Sequence, residues 1–444
     1  MQITRRTFTA LAATAIAGSV AACGNNAGGT ESAKAGDSFT YWSMWKEGED
    51  QQKVIASEIE KFTAETGIKV DVQWSGREVL TQVVPRLNAG NPPDLVDNGA
   101  PDFAQKVGLD NLLAIDDVYA MDIPGEDGKK VSDVIPQALM ESMKNKDGKP
   151  FMAPYEIIGA TLWYNAKVTP ELKTAPTSWD EFMAAMDALK AKGRTPIALD
   201  GDIKDYCGYW VEWGVLRAGG PGALKEAAQD ATGAKFNDPA WITASDNAAK
   251  LVSGGYFPSG FQGTKFPTQQ AAWADQTSKT DVILMGSWLP SEATASLAKS
   301  GGSPDSIEFG SFPFPAVGDN KGEGLVQAQP IGFVIPAKAR KAAAAKQFMA
   351  WFTHKDRMAR IASEAKNLTP RTDIEAPSEL ASFFEEYKNA RTTVLFTDGV
   401  GVAEPQWVTD VWQPAITDLF GGKLTGEQFR SQLAEKTVTY HKNK

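Results

Sequence analysis

Residues 39–96 read FTYW-SMWKEGED-QQKVIASEIEKFTAET-GIKVDVQW-SGRE-VLTQVVPRLN-AGNPPD-LV, and the spacing of apolar side chains along this stretch decides the fold. Phe39–Trp42 is a short apolar run. Val54, Ile55, Ile59 and Phe62 recur at helical spacing, with Gly67 just past them as a stop. Val70, Val72 and Trp74 alternate, as a strand with one buried face does. Val79, Leu80, Val83, Val84 and Leu87 return to helical spacing, closed by Gly90-Asn91-Pro92-Pro93 ahead of apolar Leu95-Val96. Strand, helix, strand, helix, strand is the order of a parallel, helix-flanked sheet.

The same grammar restarts downstream. Thr161–Tyr164 reads as a strand, Ser178 with Glu181 as a capping box for a helix over Phe182–Lys192, and Ile197-Ala198-Leu199 as the next strand. Val282–Met285 is a further apolar strand running into Gly286-Ser287-Trp288. Ile331–Ile335 reads as a strand, Ala342–Lys366 as one long helix, and Trp412–Leu433 as another helical region. No fixed-period repeat is present. A chain of 444 residues is long enough for two or three cores, and the pattern gives two α/β lobes.

Working back to the N-terminus, Arg5-Arg6, the apolar run Phe8–Ala22 and the small residues Val20-Ala21-Ala22 before Cys23 make a secretory signal. The run is too short to span a bilayer of about 30 Å. Thr4-Arg5-Arg6-Thr7-Phe8 also reads as a twin-arginine export motif. Val-Ala-Ala-Cys resembles a bacterial lipoprotein cleavage box, which implies residues 1–22 are removed and Cys23 is lipidated, anchoring the chain to the outer face of the membrane. Gly24–Gly36 holds no large apolar side chain, so 23–37 reads as a flexible tether. Cys207 is then the one cysteine left over, which excludes an intrachain disulfide. Net charge is −10 before the two signal arginines are removed, a balance that repels phosphate backbones and excludes nucleic acid as a partner.

Thirteen tryptophans point to a flat apolar ligand surface, the chemistry of a sugar ring's C–H face. Trp288 follows a strand, at the carboxyl edge of a sheet, where α/β folds bind ligands. Trp45, with Lys46, Glu47 and Glu49, lies on the loop after the first strand, and Asn98 and Asp102 on the equivalent loop after Leu95-Val96. Tyr206, Tyr209, Trp210 and Trp213 cluster on a helix, with Trp210 and Trp213 three residues apart on one face; that face is either ligand surface or packed core. Glu404 and Trp407 precede the last helical region.

Several landmarks resemble the family 1 extracellular solute-binding proteins of bacterial ABC sugar importers, the maltose-binding-protein-like receptors. They are Glu60-Lys61-Phe62 with Gly67-Ile68-Lys69-Val70, Pro93-Asp94-Leu95-Val96, Pro154-Tyr155 leading to Leu162-Trp163-Tyr164-Asn165, and Trp179-Asp180-Glu181-Phe182. Met285-Gly286-Ser287-Trp288, Gly332-Phe333-Val334-Ile335, Leu368-Thr369-Pro370-Arg371 and Gly421-Gly422-Lys423-Leu424-Thr425 follow in the same order. Ala218–Asn247 departs from the pattern. The resemblance implies a two-lobed type II periplasmic-binding-protein-like fold with a hinged cleft. One lobe would be 38–156 plus 332–368 and the other 157–331 plus 369–444, with crossings near Tyr155–Gly159, Gln327–Ile331 and Leu368–Arg371. It implies ligand contacts at Trp45, Trp288, Tyr155, Glu156 and Arg371. It also implies a monomeric, cofactor-free receptor that closes on an oligosaccharide and delivers it to a transmembrane permease.

Other classes fare worse. A secreted glycoside hydrolase needs two carboxylates about 5–10 Å apart, which 55 acids satisfy without specificity. The histidines are His354 and His441, too few for a convincing triad or metal cluster. Asp200-Gly201-Asp202-Ile203-Lys204-Asp205 fails the calcium-loop template. A same-fold receptor for a polyamine would want acids around aromatics, and one for a phosphate ester would want clustered Lys or Arg.

Overall fold

The computed structural model describes residues 33–444. The signal run, Cys23 and the tether up to residue 32 lie outside the described residues. The last tether residues are docked: the Lys34 amide donates to Asp37 Oδ2 at 2.8 Å, and the Gly36 amide to the Gly67 carbonyl at 3.0 Å. Residues 33–37, read from sequence as part of the tether, are therefore held to the first lobe, by the Asp37 carboxylate and by backbone hydrogen bonds.

The opening stretch folds as its spacing requires. β1 (Ser38–Ser43) lies parallel to β2 (Lys69–Trp74) and to β3 (Leu95–Gly99). The helix Asp50–Thr66 ends on Gly67, left-handed at φ 73°, whose amide closes on the Thr63 carbonyl. β4 (Ala153–Ile158) completes this sheet through β10 (Gln329–Val334), inserted antiparallel between β3 and β4. The order is β2-β1-β3-β10-β4, so a strand from far along the chain sits inside the first lobe. Tyr41, Phe333, Phe348 and Phe62 interlock edge to face beneath it, with centroids 5.2–5.8 Å apart.

The second sheet runs β6-β7-β5-β8, from β5 (Ala160–Asn165), β6 (Ile197–Ala198), β7 (Val282–Gly286) and β8 (Phe309–Phe312). β5 is antiparallel to both β7 and β8, and β6 is parallel to β7. The helix Lys204–Gly219 packs on this lobe and against Pro239–Ser253. A Cβ at Gly214 would come 2.9 Å from the Ala244 methyl, so glycine sets that close approach. The unplaced segment 218–247 thus supplies helical cover, Ala223–Gln229 and the start of Pro239–Ser253.

The chain passes from first sheet to second at Gly159 and returns at Ala328, between β9 (Leu325–Gln327) and β10. The third passage runs later than Leu368–Arg371. Arg371 is buried and paired with Glu126 of the first lobe, which keeps 371–373 there. The helix Ala381–Lys388 then reaches the second lobe, Ser382 Oγ lying 2.6 Å from Ser311 Oγ. Close by, β9 pairs in parallel with β11 (Thr392–Val394).

Two long helical readings are corrected. Ala342–Lys366 is two helices, Ala342–Phe352 and Lys355–Ser363. His354 Nδ1 caps the second by accepting from the Asp356 amide at 3.1 Å. Arg357 and Arg371 take the Trp351 and Thr353 carbonyls, acceptors a continuous helix would use itself. The last region is Gln413–Phe420 and Gly426–Lys442, divided at Gly421-Gly422 and restarted by a Thr425–Gln428 capping box. Among the described residues no helix is long and apolar enough to cross a membrane.

Candidate ligand-binding cleft

The first lobe's face of the cleft is a hydrogen-bonded block. Asp97, fully buried in the middle of β3, accepts from Tyr155 Oη at 2.7 Å, Tyr41 Oη at 2.8 Å, Ser43 Oγ at 3.2 Å and the Met44 amide at 2.7 Å. Burial raises its pKa, and these donors work against the shift. Trp45 Nε1 donates to Tyr155 Oη at 2.7 Å, so the indole is tied into the same block. The Arg77 guanidinium lies 4.5 Å over the Trp45 ring and donates to the Met44 carbonyl. Glu156 accepts from Asn367 Nδ2 at 2.6 Å and Gln51 Nε2 at 3.3 Å, and burial pushes its pKa up to about 8. Lys46 and Glu47 are exposed at the rim. Asn98 is buried and its Oδ1 takes the Gly99 amide.

The second lobe's face is aromatic. β7 ends at Gly286, and the Trp288 indole folds back over it; a Cβ at Gly286 would fall 2.2 Å from that ring. Trp288 neighbours Tyr206 at 6.4 Å and Phe396 at 6.4 Å, centroid to centroid. Tyr206 continues to Phe266 at 5.7 Å and to Tyr209 at 5.8 Å, and Tyr209 stacks on Phe396 at 5.3 Å. Tyr206, Phe266, Trp288 and Phe396 are all only partly buried. Two carboxylates place the Phe266 loop: Asp202 Oδ1 accepts the Phe266 amide at 2.9 Å, and buried Asp200 accepts the Gln269 and Gln270 amides. Phe396 is set by Thr397 and Asp398, both left-handed at φ 54° and 52°.

Between the faces lies a cavity of about 190 Å³, lined by Asp102, Gln105 and Gln329 from the first lobe and by Asp205, Tyr209 and Glu212 from the second, among others. The lobes touch beside it, since a Cβ at Gly401 would stand 3.3 Å from the Pro101 Cβ. Glu212 is fully buried; its Oε1 accepts from the Thr397 amide at 2.6 Å and from Gln327 Nε2. Burial pushes its pKa up to about 8, and the Asp398 and Asp205 charges add to the rise. Asp102 pairs with Lys106 at 3.3 Å.

Other sequence candidates sit elsewhere. The face shared by Trp210 and Trp213 packs on Phe314, at 6.0 and 6.2 Å, inside the second lobe. Trp407 is fully buried, its Nε1 donating to Thr437 Oγ1 at 2.9 Å, and Glu404 holds Lys444 at 2.7 Å. Arg371 is enclosed by Glu126 and Asp373, which are both drawn below the ordinary carboxylate range; Glu126 falls to about 2. Its guanidinium is committed to the first lobe and does not face the cleft.

Two lobes, sheet ends aimed at a shared cleft and rings opposed to polar groups are the geometry of a receptor. A family model described as bacterial extracellular solute-binding protein matches residues 46–358. The chain belongs to that family. Over 376 residues it is 26% identical to a probable sugar-binding periplasmic protein of Brucella melitensis biotype 1, covering 81% of each chain. It is also 26% identical over 228 residues to the diacetylchitobiose binding protein NgcE of Streptomyces coelicolor, a match spanning 51% of this chain and about half, 47%, of that one. Among solved structures, a chitin oligosaccharide binding protein superposes with TM-score 0.70 at 22% identity, over 90% of this chain and 98% of that one. Apo RafE of Streptococcus pneumoniae superposes with TM-score 0.70 at 18% identity, over 92% and 99%. These likenesses establish the two-lobed type II fold, and the family is one of binding proteins, not catalysts.

In this solute-binding protein the structure also places Asp97, Arg77, Glu212, Phe266, Gln329 and Phe396 at or beside the candidate cleft, residues that sequence reasoning missed. A lone acid in an otherwise apolar element was the available signal for Asp97 and for Glu212, which lies between Trp210 and Trp213.

Proposed function

We propose that this extracellular receptor captures a carbohydrate, an oligosaccharide, between its lobes and delivers it to the permease of an ABC importer. The carrying observation is the run of partly exposed, mutually packed rings Tyr206, Phe266, Trp288 and Phe396 on the second lobe, of which Phe396 lines the interlobe cavity together with Asp102, Gln105 and Gln329. Rings stack on C–H faces while carboxylates and amides take hydroxyls, a pairing that suits a saccharide. The names of the relatives support the same ligand class. The two lobes would rotate about the crossings, and contacts made with both lobes would favour the closed form. The permease would read that form, with a monomeric receptor held at the membrane through lipidated Cys23. Micromolar capture needs about 8 kcal/mol, within reach of two stacked rings and several buried hydrogen bonds. Titration of intrinsic tryptophan fluorescence with an oligosaccharide panel, paired with solution scattering, tests this. Saturable quenching with compaction is expected; no response to any saccharide would overturn the proposal.

A further inference from the structure

Two of the strands that carry the chain between the lobes change ladder within a single residue. Ile158 pairs with Gln329 in the first sheet and Ala160 with Gly286 in the second, so the first crossing turns at Gly159. Gln327 pairs with Val394 in the β9–β11 ladder and Gln329 with Ile158, so the return turns at Ala328. The two turns touch. A Cβ at Gly159 would fall 2.2 Å from the Gln327 carbonyl oxygen, and 2.6 Å from the Phe383 ring on the helix of the third passage. Only glycine fits there, and the lobes have two neighbouring single-residue pivots about which to rotate.

One buried side chain ties these pivots together. Gln327 Oε1 accepts the Ala160 amide at 3.3 Å, one residue past the first pivot. β8 pairs with β5 from Leu162 onward, so the Ala160 amide lies beyond the end of that ladder, and the glutamine oxygen stands where a strand carbonyl would. Gln327 Nε2 donates to Glu212 Oε1, which also accepts the Thr397 amide at 2.6 Å, next to Phe396. Three hydrogen bonds therefore run from the first pivot, through the second, to the turn that carries a cleft ring. Gln327 and Glu212 are both fully buried, so no water stands ready to replace a broken link, and the run is stiff.

We propose that Gln327 is a positioning residue for ligand capture, a strap that holds both crossings to the second lobe and makes the Phe396 turn move with them. Rotation is then confined to Gly159 and Ala328, and Phe396 arrives at the closed cleft in one fixed place. Without the strap each crossing bends over several residues, and closure delivers the ring to a spread of positions. This deepens the capture reading above and rests on it for its purpose, while the strap itself is a property of the hinge with or without ligand.

The test reads the hinge first without ligand. Spin labels on Glu60→Cys and Asp180→Cys, exposed on helices of opposite lobes, report the interlobe distance in the full chain, and buried Cys207 stays unlabelled. Gln327→Leu should broaden the distance distribution and speed exchange of the Ala160 and Thr397 amide hydrogens about tenfold. Combining Gln327→Glu with Glu212→Gln reverses one donor and keeps every link. The introduced amide donates to the introduced carboxylate, which still accepts the Ala160 amide, and the amide oxygen still accepts the Thr397 amide. This double variant should restore the wild-type width, and it decides the matter should Gln327→Leu fail to fold. Trp210→Ala, a core change in the same lobe, should leave the width unaltered. Calorimetry with chitotriose, maltotriose and cellotriose follows; for whichever binds, Gln327→Leu should weaken affinity roughly tenfold and the double variant by under about threefold. A wild-type width in Gln327→Leu, or a double variant as broad as Gln327→Leu, overturns the strap. Wild type that binds no trisaccharide counts against the capture reading alone, since the ligand-free widths still decide the strap.

Discussion

The two faces of the cleft are built on opposite principles. On the first lobe, Trp45, Tyr155 and Tyr41 are buried and tied through hydrogen bonds to one carboxylate, Asp97. On the second, Tyr206, Phe266, Trp288 and Phe396 remain partly exposed and touch mainly one another. Removing a buried, fully bonded group disrupts the fold before it touches binding, whereas removing a half-exposed ring leaves the fold and strips contact area. One face is a rigid frame, and the other is the surface that the proposed function assigns to recognition.

The largest effect should come from breaking the frame. Asp97→Ala strips the acceptor from two buried tyrosine hydroxyls, Ser43 and the Met44 amide. A loss of about 3–5 kcal/mol is expected in denaturant titration, with the sugar affinity of the surviving folded fraction falling too. Trp210→Ala should destabilise by a similar amount, about 3–5 kcal/mol, because the ring is enclosed by Phe182, Phe257 and Phe314. Its folded fraction should bind normally, which would separate core from cleft.

Trp288→Ala sharpens the contrast from the other side. The ring is partly exposed, so stability should change by under about 1 kcal/mol while affinity drops roughly tenfold to a hundredfold. Calorimetry alongside thermal melts checks both halves. A variant that loses stability but not affinity would move Trp288 from recognition surface to frame.

Much of the fold was legible because its signals are local. Gly67 ends its helix by its own left-handed geometry, and Ser178 caps Trp179–Ala191 by accepting the Glu181 amide at 3.3 Å. Trp288 was legible as a cleft candidate because it follows a strand. Trp210, Trp213 and Trp407 were not resolvable by spacing, since a helical face reads the same whether it meets ligand or Phe314 and Phe236 from distant segments. Phe266 and Phe396 left no periodic trace, because side-chain caps from Asp202 and a left-handed turn place them instead. Arg371 looked like a ligand donor at a crossing, yet it answers to Glu126, some 245 positions earlier. Partnerships that long do not show in local pattern.

The two faces share one electrostatic feature, a buried acid on each. Glu156 and Glu212 are both pushed up to about 8 by burial. Between their ordinary value of 4.5 and 8 the unfolded chain has released these protons while the folded chain still holds them, so stability falls as pH rises across that window. Glu212→Gln should flatten the fall by roughly 1.4 kcal/mol for each pH unit within it, read from denaturation midpoints at several pH values. Glu156→Gln should do the same from the other lobe. A wild-type and Glu212→Gln difference that stays constant with pH would mean the folded and unfolded chains titrate alike there.

The smallest effect separates two neighbours with the same backbone strain. Thr397 and Asp398 both stand in left-handed geometry, at φ 54° and 52°. For a β-branched residue that costs about 1–2 kcal/mol, and glycine relieves it at about 0.5–1 kcal/mol of extra chain entropy. Thr397→Gly should therefore stabilise by about 0.5–1 kcal/mol, a rise of a degree or two in Tm, because its amide still donates to Glu212. Asp398→Gly relieves the same torsion yet removes the acceptor for the Gly222, Leu224 and Lys225 amides, which cap the helix Ala223–Gln229. Losing that cap costs about 1–2 kcal/mol, so the balance turns destabilising. Opposite signs from two adjacent glycines would show that the turn carrying Phe396 is held by the Asp398 cap, with the strain at Thr397 tolerated to keep that ring on the recognition face.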